Sequence, residues 1–364
     1  MKNSFGTSVI LTLFGESHGP GIGCVLDGLA PGMEVDEGEI SRLLSLRRPF
    51  GSFSTARVES DPFVIESGVR AGKTTGAPLM IRIPNENARS GDYDAFLTTP
   101  RPGHADYTAA VKYGGFQDVR GGGHFSGRLT AALVAAGGIL LPALKRKGIA
   151  VATHIRELYG IADRPFEDYE TDALSLVNKQ FAVLDDEKAD AMQTAILAAK
   201  AEGDSVGGIL ETAILGMPAG VGEPWFDTVE GELAKALFSI PAVKGVSFGA
   251  GFDLARMRGS EANDPFRMEN GAVKVAGVRQ GGVNGGITNG GVILVQTAVK
   301  PTPTISKEQE SVNLKTGETV TLTGAGRHDP CIVHRARVVA DAMIALVLAD
   351  LLARRFGTDW MRSE

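Results

Sequence analysis

The chain has 364 residues, 43% of them hydrophobic and 22% charged, which is enough to bury one large core or two coupled halves. Its formal net charge of −6 argues against nucleic acid or an anionic membrane as the main partner, so an anionic ligand must be held by local arginines. Two cysteines are too few for a disulfide framework, and together with an N-terminus lacking a secretory pattern they lead us to expect a cytoplasmic protein.

Strand-like runs and helical patterns alternate along the chain. SVILTLF, GCVLDGL, PFVIESGV, APLMIRI, GILETAILG and GVILVQTAV read as strands; helices are expected at about 36–47, 106–113, 126–147, 187–201, 228–238 and 335–355. ENARSGDYDAFLTTPRPGHAD reads as loop, and TISKEQESVNLKTGETVTLTG as exposed strands and turns. VVADAMIALVLADLLARR carries Asp341 and Asp350, which fits a buried helix better than a membrane span. The pattern predicts an α+β fold.

Glycine is over-represented, with 47 copies in 364 residues against a usual share of about 7%. The copies gather in GESHGPGIG, RGGGHFSG, GVRQGGVNGGITNGG and GAGRHD, without a period. Tight turns that let backbone approach a ligand fit this better than a linker. In RGGGHFSGR, three glycines lead to His124, Phe125 and the expected helix cap Ser126, with Arg120 and Arg128 on either side. A helix start bracketed by such groups favours an anion. A weak internal repeat matches GESHG at 15–19 to GDSVG at 203–207, DGLAPG at 27–32 to LGMPAG at 215–220, and EGEISRLL at 37–44 to EGELAKAL at 230–237. We expect one domain spanning 1–364, made of two related α+β halves of about 1–185 and 186–364. Val206 replaces His18 in the second copy, which marks His18 as functional.

Among six histidines, His18, His104 and His328 lie in Gly/Pro loops near an arginine, suited to acid–base work on a charged substrate; His154 and His334 read as structural. Arg47, Arg48, Arg101, Arg120, Arg128 and Arg327 are candidate anion-binding groups, because guanidinium binds carboxylate and phosphate through two prongs. No GxGxxG at a strand–helix junction, P-loop, GxSxG elbow or metal-ligand spacing is present.

The ordered set FGESHG (14–19), RPGHADYT (101–108), RGGG…SGR…TA (120–131), EGDSVGG (202–208), AVKGVSFG (242–249), GG…GGI.NG (281–290), KPTPTI (300–305) and GRHDPC (326–331) resembles the chorismate synthase family along essentially the whole chain. The resemblance implies a β-α-β sandwich core and a homotetramer. It implies a lyase converting 5-enolpyruvylshikimate 3-phosphate to chorismate by anti-1,4-elimination, with reduced FMN required although there is no net redox change. His18 and His104 would be the acid–base histidines. Asp329, with Ser17 beside the site, would help move the proton from flavin N5. Arg47, Arg48, Arg101, Arg128 and Arg327 would grip substrate anions. His124, Phe125, Ser126, Ala242, Gly285, Lys300, Pro301, Thr302, Pro303, Thr304 and again Arg327 match positions that hold FMN. No metal is implied.

Three departures concern the cofactor. The family more often has Arg-Ser-Ser after the glycine triplet, where this chain has His124, Phe125 and Ser126. Here His124 is expected to hydrogen-bond the polar edge of the flavin while Phe125 packs on its apolar surface. Pro241 replaces a usual asparagine. Phe53 stands where many members carry an arginine linked to reduced nicotinamide (NADPH) or substrate, so an external source of reduced flavin is expected. Two alternatives stay open on the residues alone: a flavin-dependent oxidoreductase or flavin reductase, and a non-catalytic binder of phosphorylated metabolites.

Overall fold

The computed structural model describes residues 2–55, 59–86, 96, 98–323 and 329–363. In chain order its first part contains β1 (Ser4–Phe5), β2 (Ile10–Gly15), β3 (Gly21–Asp27), α1 (Glu37–Arg47), β4 (Val64–Ser67), β5 (Leu79–Pro84), α2 (Asp106–Tyr113) and α3 (Thr130–Arg146). The second part contains β6 (Ala150–Leu158), β7 (Ile161–Ala162), α4 (Tyr169–Leu176), α5 (Asp186–Ala201), β8 (Gly208–Leu215), α6 (Val229–Leu237), β9 (Val243–Phe248), β10 (Ile293–Val299) and α7 (Val333–Phe356). One sheet runs β1-β2-β3-β5-β4 and the other β9-β10-β8-β6-β7, with antiparallel neighbours throughout. α3 packs on β3 and β5, α7 packs on β6 and β8, and the two helices pack on each other, so two sheets enclose a helical layer. This is the expected sandwich. The stretch after Thr304, expected as exposed strands and turns, pairs Glu308–Val312 with Thr319–Thr323 as an antiparallel hairpin.

The internal repeat is visible in the topology. The order β2-β3-β5-β4 recurs as β6-β8-β10-β9, with α1 and α3 in the places later taken by α6 and α7. GESHG leads into β3 and GDSVG into β8, so His18 and Val206 occupy matching loops. By topology the second unit begins at Ala150, ahead of the expected division near 185. The reason is an insertion: residues 16–20 join β2 to β3, whereas 159–207, with α4 and α5, join β6 to β8.

Side-chain pattern explains the layers. β10 alternates buried and half-buried residues, as a strand with one face on a core must. α3 and α7 are buried almost all round, as helices sandwiched between sheets should be. The 127–146 segment is long and apolar enough to cross a membrane by length and composition, but 83% of its apolar 18-residue window is buried inside the fold. Gly137 and Gly138 let α3 lie close to its neighbours: a Cβ at Gly137 would stand 2.5 Å from the Cβ of Ala342, and one at Gly138 would stand 2.7 Å from the Cα of Ile40. Ser126 does act as a cap, accepting the Arg128 N–H, but it caps a 3₁₀ turn at Gly127–Leu129 and α3 proper starts at Thr130.

Asp350 of α7 is buried and its Oδ1 accepts the backbone N–H groups of Thr7, Ser8 and Val9 at 3.0, 2.6 and 2.9 Å. One carboxylate thereby fixes the chain entering β2. Asp350→Ala leaves three donors unmatched and is expected to lower unfolding free energy by about 3 kcal/mol, read by urea denaturation, with Asp350→Asn losing less.

Candidate active site

The glycine triplet explains how the site is assembled. Gly121, Gly122 and Gly123 all have positive φ, at 61°, 83° and 53°, a region that costs other residues energy. A Cβ at Gly121 would stand 2.1 Å from both Cε1 and Nδ1 of His18 and 2.8 Å from Ser17 Oγ. A Cβ at Gly122 would stand 3.6 Å from Cε1 and Nε2 of His104. Gly123 completes the wedge, its carbonyl accepting the Ser17 N–H at 3.1 Å. The turn therefore fits between the two histidines and brings residues 17–18 and 104 to one place. Ser17 is fully buried, and its Oγ has no hydrogen-bond partner among the described residues.

His18, His104 and Asp329 line one cavity of about 1190 Å³, together with Arg47, Arg101, Arg128, His124, Phe125, Ser126, Ala242, Lys300, Thr302, Pro303 and Thr304. His104 Nδ1 lies 2.5 Å from Asp106 Oδ1, which places the Nδ1 proton on that bond and leaves Nε2 facing Gly122. Arg101 is clamped on the same carboxylate, with Nε 2.8 Å from Asp106 Oδ2 and Nη2 2.8 Å from Oδ1, and its guanidinium lies over the Phe96 ring. Burial alone would raise the Asp106 carboxyl, but hydrogen bonds from Arg101 and His104 outweigh it and hold the group well below the ordinary carboxylate range.

Arg47 and Arg128 are buried side by side. Asp61 bridges them, its Oδ2 3.4 Å from Arg47 Nη1 and its Oδ1 bonded to Arg128 Nη1, and Glu59 adds a contact to Arg128 at 3.1 Å. Burial lowers the Arg47 pKa to about 9, with Arg335 and Arg128 adding to the fall while Asp61 and Glu59 oppose it. Asp61 has a φ of 50°, unusual for a residue with a side chain, and so stores local strain beside the cavity. Asp329 accepts the Thr55 N–H at 2.8 Å on Oδ1 and pairs through Oδ2 with Arg335.

Not every candidate reaches the cavity. Arg48 donates to the Ser60 carbonyl and does not line it. Arg120 pairs with Asp118 at the surface. Gly285 sits in the tight turn between Val283–Asn284 and Ile287–Thr288, and exposed Pro301 also lies outside the lining. Arg327 and His328 lie outside the described residues. His154 and His334 are buried in the core, as expected. Phe53 is also a core residue, meeting Phe50, Phe181 and His334 edge-on. Glu59, Asp61, Asp106 and Arg335 were not singled out by the sequence; only Asp106, two residues from His104, carried a local signal.

The residue set suits a group that is aromatic at one end and phosphorylated at the other. Leu129 just before α3 and Leu133 within it, with Val339, Met343 and Leu346 from α7, give the cavity an apolar wall, while Lys300, Thr302 and Thr304 add an amine and hydroxyls. Lys300 Nζ donates to the Gly103 carbonyl at 2.6 Å, and burial, with nearby Lys244, pulls its pKa below the usual lysine value. His124 Nδ1 lies 2.9 Å from the Gly15 carbonyl, so Nε2 is the nitrogen left for a ligand.

Comparison with known proteins agrees with this geometry. A family model described as chorismate synthase matches residues 9–353. The chorismate synthase of Korarchaeum cryptofilum is 46% identical over 351 residues, covering 96% of this chain and 97% of that one. That of Thermococcus gammatolerans is 47% identical over 351 residues, with the same two coverages. A crystal structure of chorismate synthase superposes with a TM-score of 0.77 at 28% identity, covering 98% of this chain and 94% of that one. These matches do not favour the oxidoreductase or the non-catalytic binder. With sequence, fold and site in agreement, the chain belongs to the chorismate synthase family.

Proposed function

We propose that the chain is a lyase that eliminates phosphate from 5-enolpyruvylshikimate 3-phosphate to give chorismate, with reduced FMN as its cofactor. The observation that carries this reading is the glycine wedge, which sets His18 and His104 against one arginine-lined cavity that also contains Asp329. Reduced FMN, when bound, supplies electron density that eases departure of the phosphate. Lys300, Thr302, Thr304, His124 and Ser126 would hold it, with the apolar wall for its ring.

The residues divide the remaining work. His104, its Nδ1 proton committed to Asp106, offers Nε2 to the departing phosphate, and His18 faces the cavity across the turn. Asp329, held by Thr55 and Arg335, would carry a proton. Arg47 and Arg128 supply charge for the substrate's carboxylates; Asp61 between them offsets their mutual repulsion before an anion arrives. Phe53, buried among aromatic rings, offers no cation for a nicotinamide phosphate, which supports an external source of reduced flavin. Exposed Trp225, Phe226 and Phe252 support assembly of several copies, as in a homotetramer, and the continuous core supports reading 1–364 as one domain. Two buried free cysteines fit a cytoplasmic setting.

The test is chemical. Under anaerobic conditions with photoreduced FMN, phosphate and chorismate are expected in equal amounts; a protein that binds both ligands and releases neither product is not this enzyme. The cofactor assignment has its own check. His124→Ala is expected to weaken FMN binding about tenfold, or ~1.4 kcal/mol, by fluorescence titration, while thermal unfolding shifts only slightly. Unchanged FMN affinity would remove His124 from the cofactor site.

A further inference from the structure

Arg335 lies three residues into α7 and lines the cavity, yet no motif in the sequence singled it out. Its guanidinium has two fixed contacts. Nη1 pairs with Asp329 Oδ2, and Nε donates to the main-chain carbonyl of Arg47 at 2.8 Å. It therefore ties the start of α7 to the end of α1 and grips one oxygen of the Asp329 carboxylate. The other oxygen is held by the Thr55 N–H, and the Asp329 carbonyl accepts the Thr302 hydroxyl at 2.6 Å. The loop presenting Thr55 is itself anchored: Ser54 Oγ lies 3.0 Å from Nε2 of buried His334, and Lys200 Nζ donates to the carbonyls of Ser52 and Ser54 at 2.5 and 3.2 Å.

We propose that Arg335 is a positioning residue of the elimination, holding the Asp329 carboxylate against Thr55 so that its lone pairs point in one fixed direction. This rests on the reading of Asp329 as a proton carrier given above. A carboxylate that must receive a proton loses efficiency when it can rotate, since proton transfer requires hydrogen-bond reach and alignment. Thr55 alone leaves the carboxyl group free to turn about one contact. A second, charge-assisted contact removes that freedom. The main-chain bond to Arg47 sets the guanidinium plane, so Arg335 cannot follow the carboxylate if it turns.

The experiment combines a structural readout with a kinetic one. Crystals of ligand-free Arg335→Gln are expected to show the Asp329 carboxylate turned away from the Thr55 N–H or split between orientations. With substrate and photoreduced FMN, the same variant is expected to lose about 100-fold in kcat while KM stays within threefold of the parent. Because the effect passes through Asp329, Arg335→Gln/Asp329→Asn should lose no more than Asp329→Asn alone. If glutamine prevents folding, Arg335→Lys keeps the charge but not the fork, and is read by the same structure and the same kcat and KM. An undisturbed carboxylate, a kcat within threefold of the parent, or losses that multiply in the double variant would each overturn the assignment. A parent protein that releases no phosphate would instead overturn the proposed function, and the crystal readout of Arg335 would still stand as its own test.

Discussion

Gly121→Ala is expected to abolish most turnover while leaving the core folded. The added Cβ would sit 2.1 Å from two ring atoms of His18 and 2.8 Å from Ser17 Oγ, so the imidazole must shift by more than an ångström. A displacement of that size costs roughly 100-fold in rate when reacting groups must align. The positive φ adds about 1–2 kcal/mol of strain, small beside the stability of a core this size. Two neighbours act as controls. Gly122→Ala would place its Cβ at 3.6 Å from His104, an ordinary contact, so strain and not collision sets its smaller effect. Gly127→Ala meets nothing within 4 Å and should behave like the parent. Steady-state phosphate release and a thermal melt on the three variants check the order. A fully active Gly121→Ala would mean that the wedge does not set the position of His18.

The largest effect on stability is expected at His154→Ala. His154 on β6 is fully buried, with Nδ1 2.9 Å from Asp163 Oδ2 and Nε2 3.2 Å from Glu211 Oε2. Glu211 stands opposite His154 in register and is itself paired with Gln296, whose Nε2 donates to Glu211 Oε1 at 2.9 Å. With a carboxylate on each nitrogen the ring must carry both protons, so this is a buried imidazolium between two anions. Removing the ring leaves two buried carboxylates uncompensated, and a loss of about 3–5 kcal/mol in urea denaturation follows. Burial lowers the His154 pKa, but the hydrogen bonds to Asp163 and Glu211 outweigh it and raise the value above 6.5. A group whose folded pKa is raised stabilises fully below its unfolded value of about 6.5, and that contribution fades as pH rises through the folded value. The difference in stability between the parent and His154→Ala should therefore narrow above neutral pH. A variant as stable as the parent, or a difference that grows with pH, would contradict the paired imidazolium.

Much of this fold was legible because its signals are local. The period-2 alternation of β10 and the apolar runs of α3 and α7 depend on neighbouring residues alone. The repeat was legible where short motifs flank β3 and β8, but the insertion at 159–207 hid where the second unit begins. Helix α4 and strand β9 were not singled out as elements; β9 carries a glycine and a lysine among its six residues. In the site, His18, His104 and Asp329 were visible through their motifs. Their wedge was not, because the contact of Gly121 with His18 joins residues about a hundred positions apart. The pairing of the arginines was hidden for the same reason. Asp61 meets Arg128 across 67 positions, so a sequence showing clustered arginines could not show that carboxylates already bridge them. Gly285 carried a motif and a positive φ yet serves a hairpin turn, since glycine marks tight backbone wherever it occurs.

On the proposed function, the two histidines gathered by the glycine turn handle protons at one reacting centre. Anaerobic single-turnover phosphate release from 5-enolpyruvylshikimate 3-phosphate, with photoreduced FMN and the parent, His18→Ala and His104→Ala, tests it most directly. Each variant is expected to slow release by about 100-fold or more while FMN affinity stays within threefold of the parent. Release at the parental rate by either variant would contradict it.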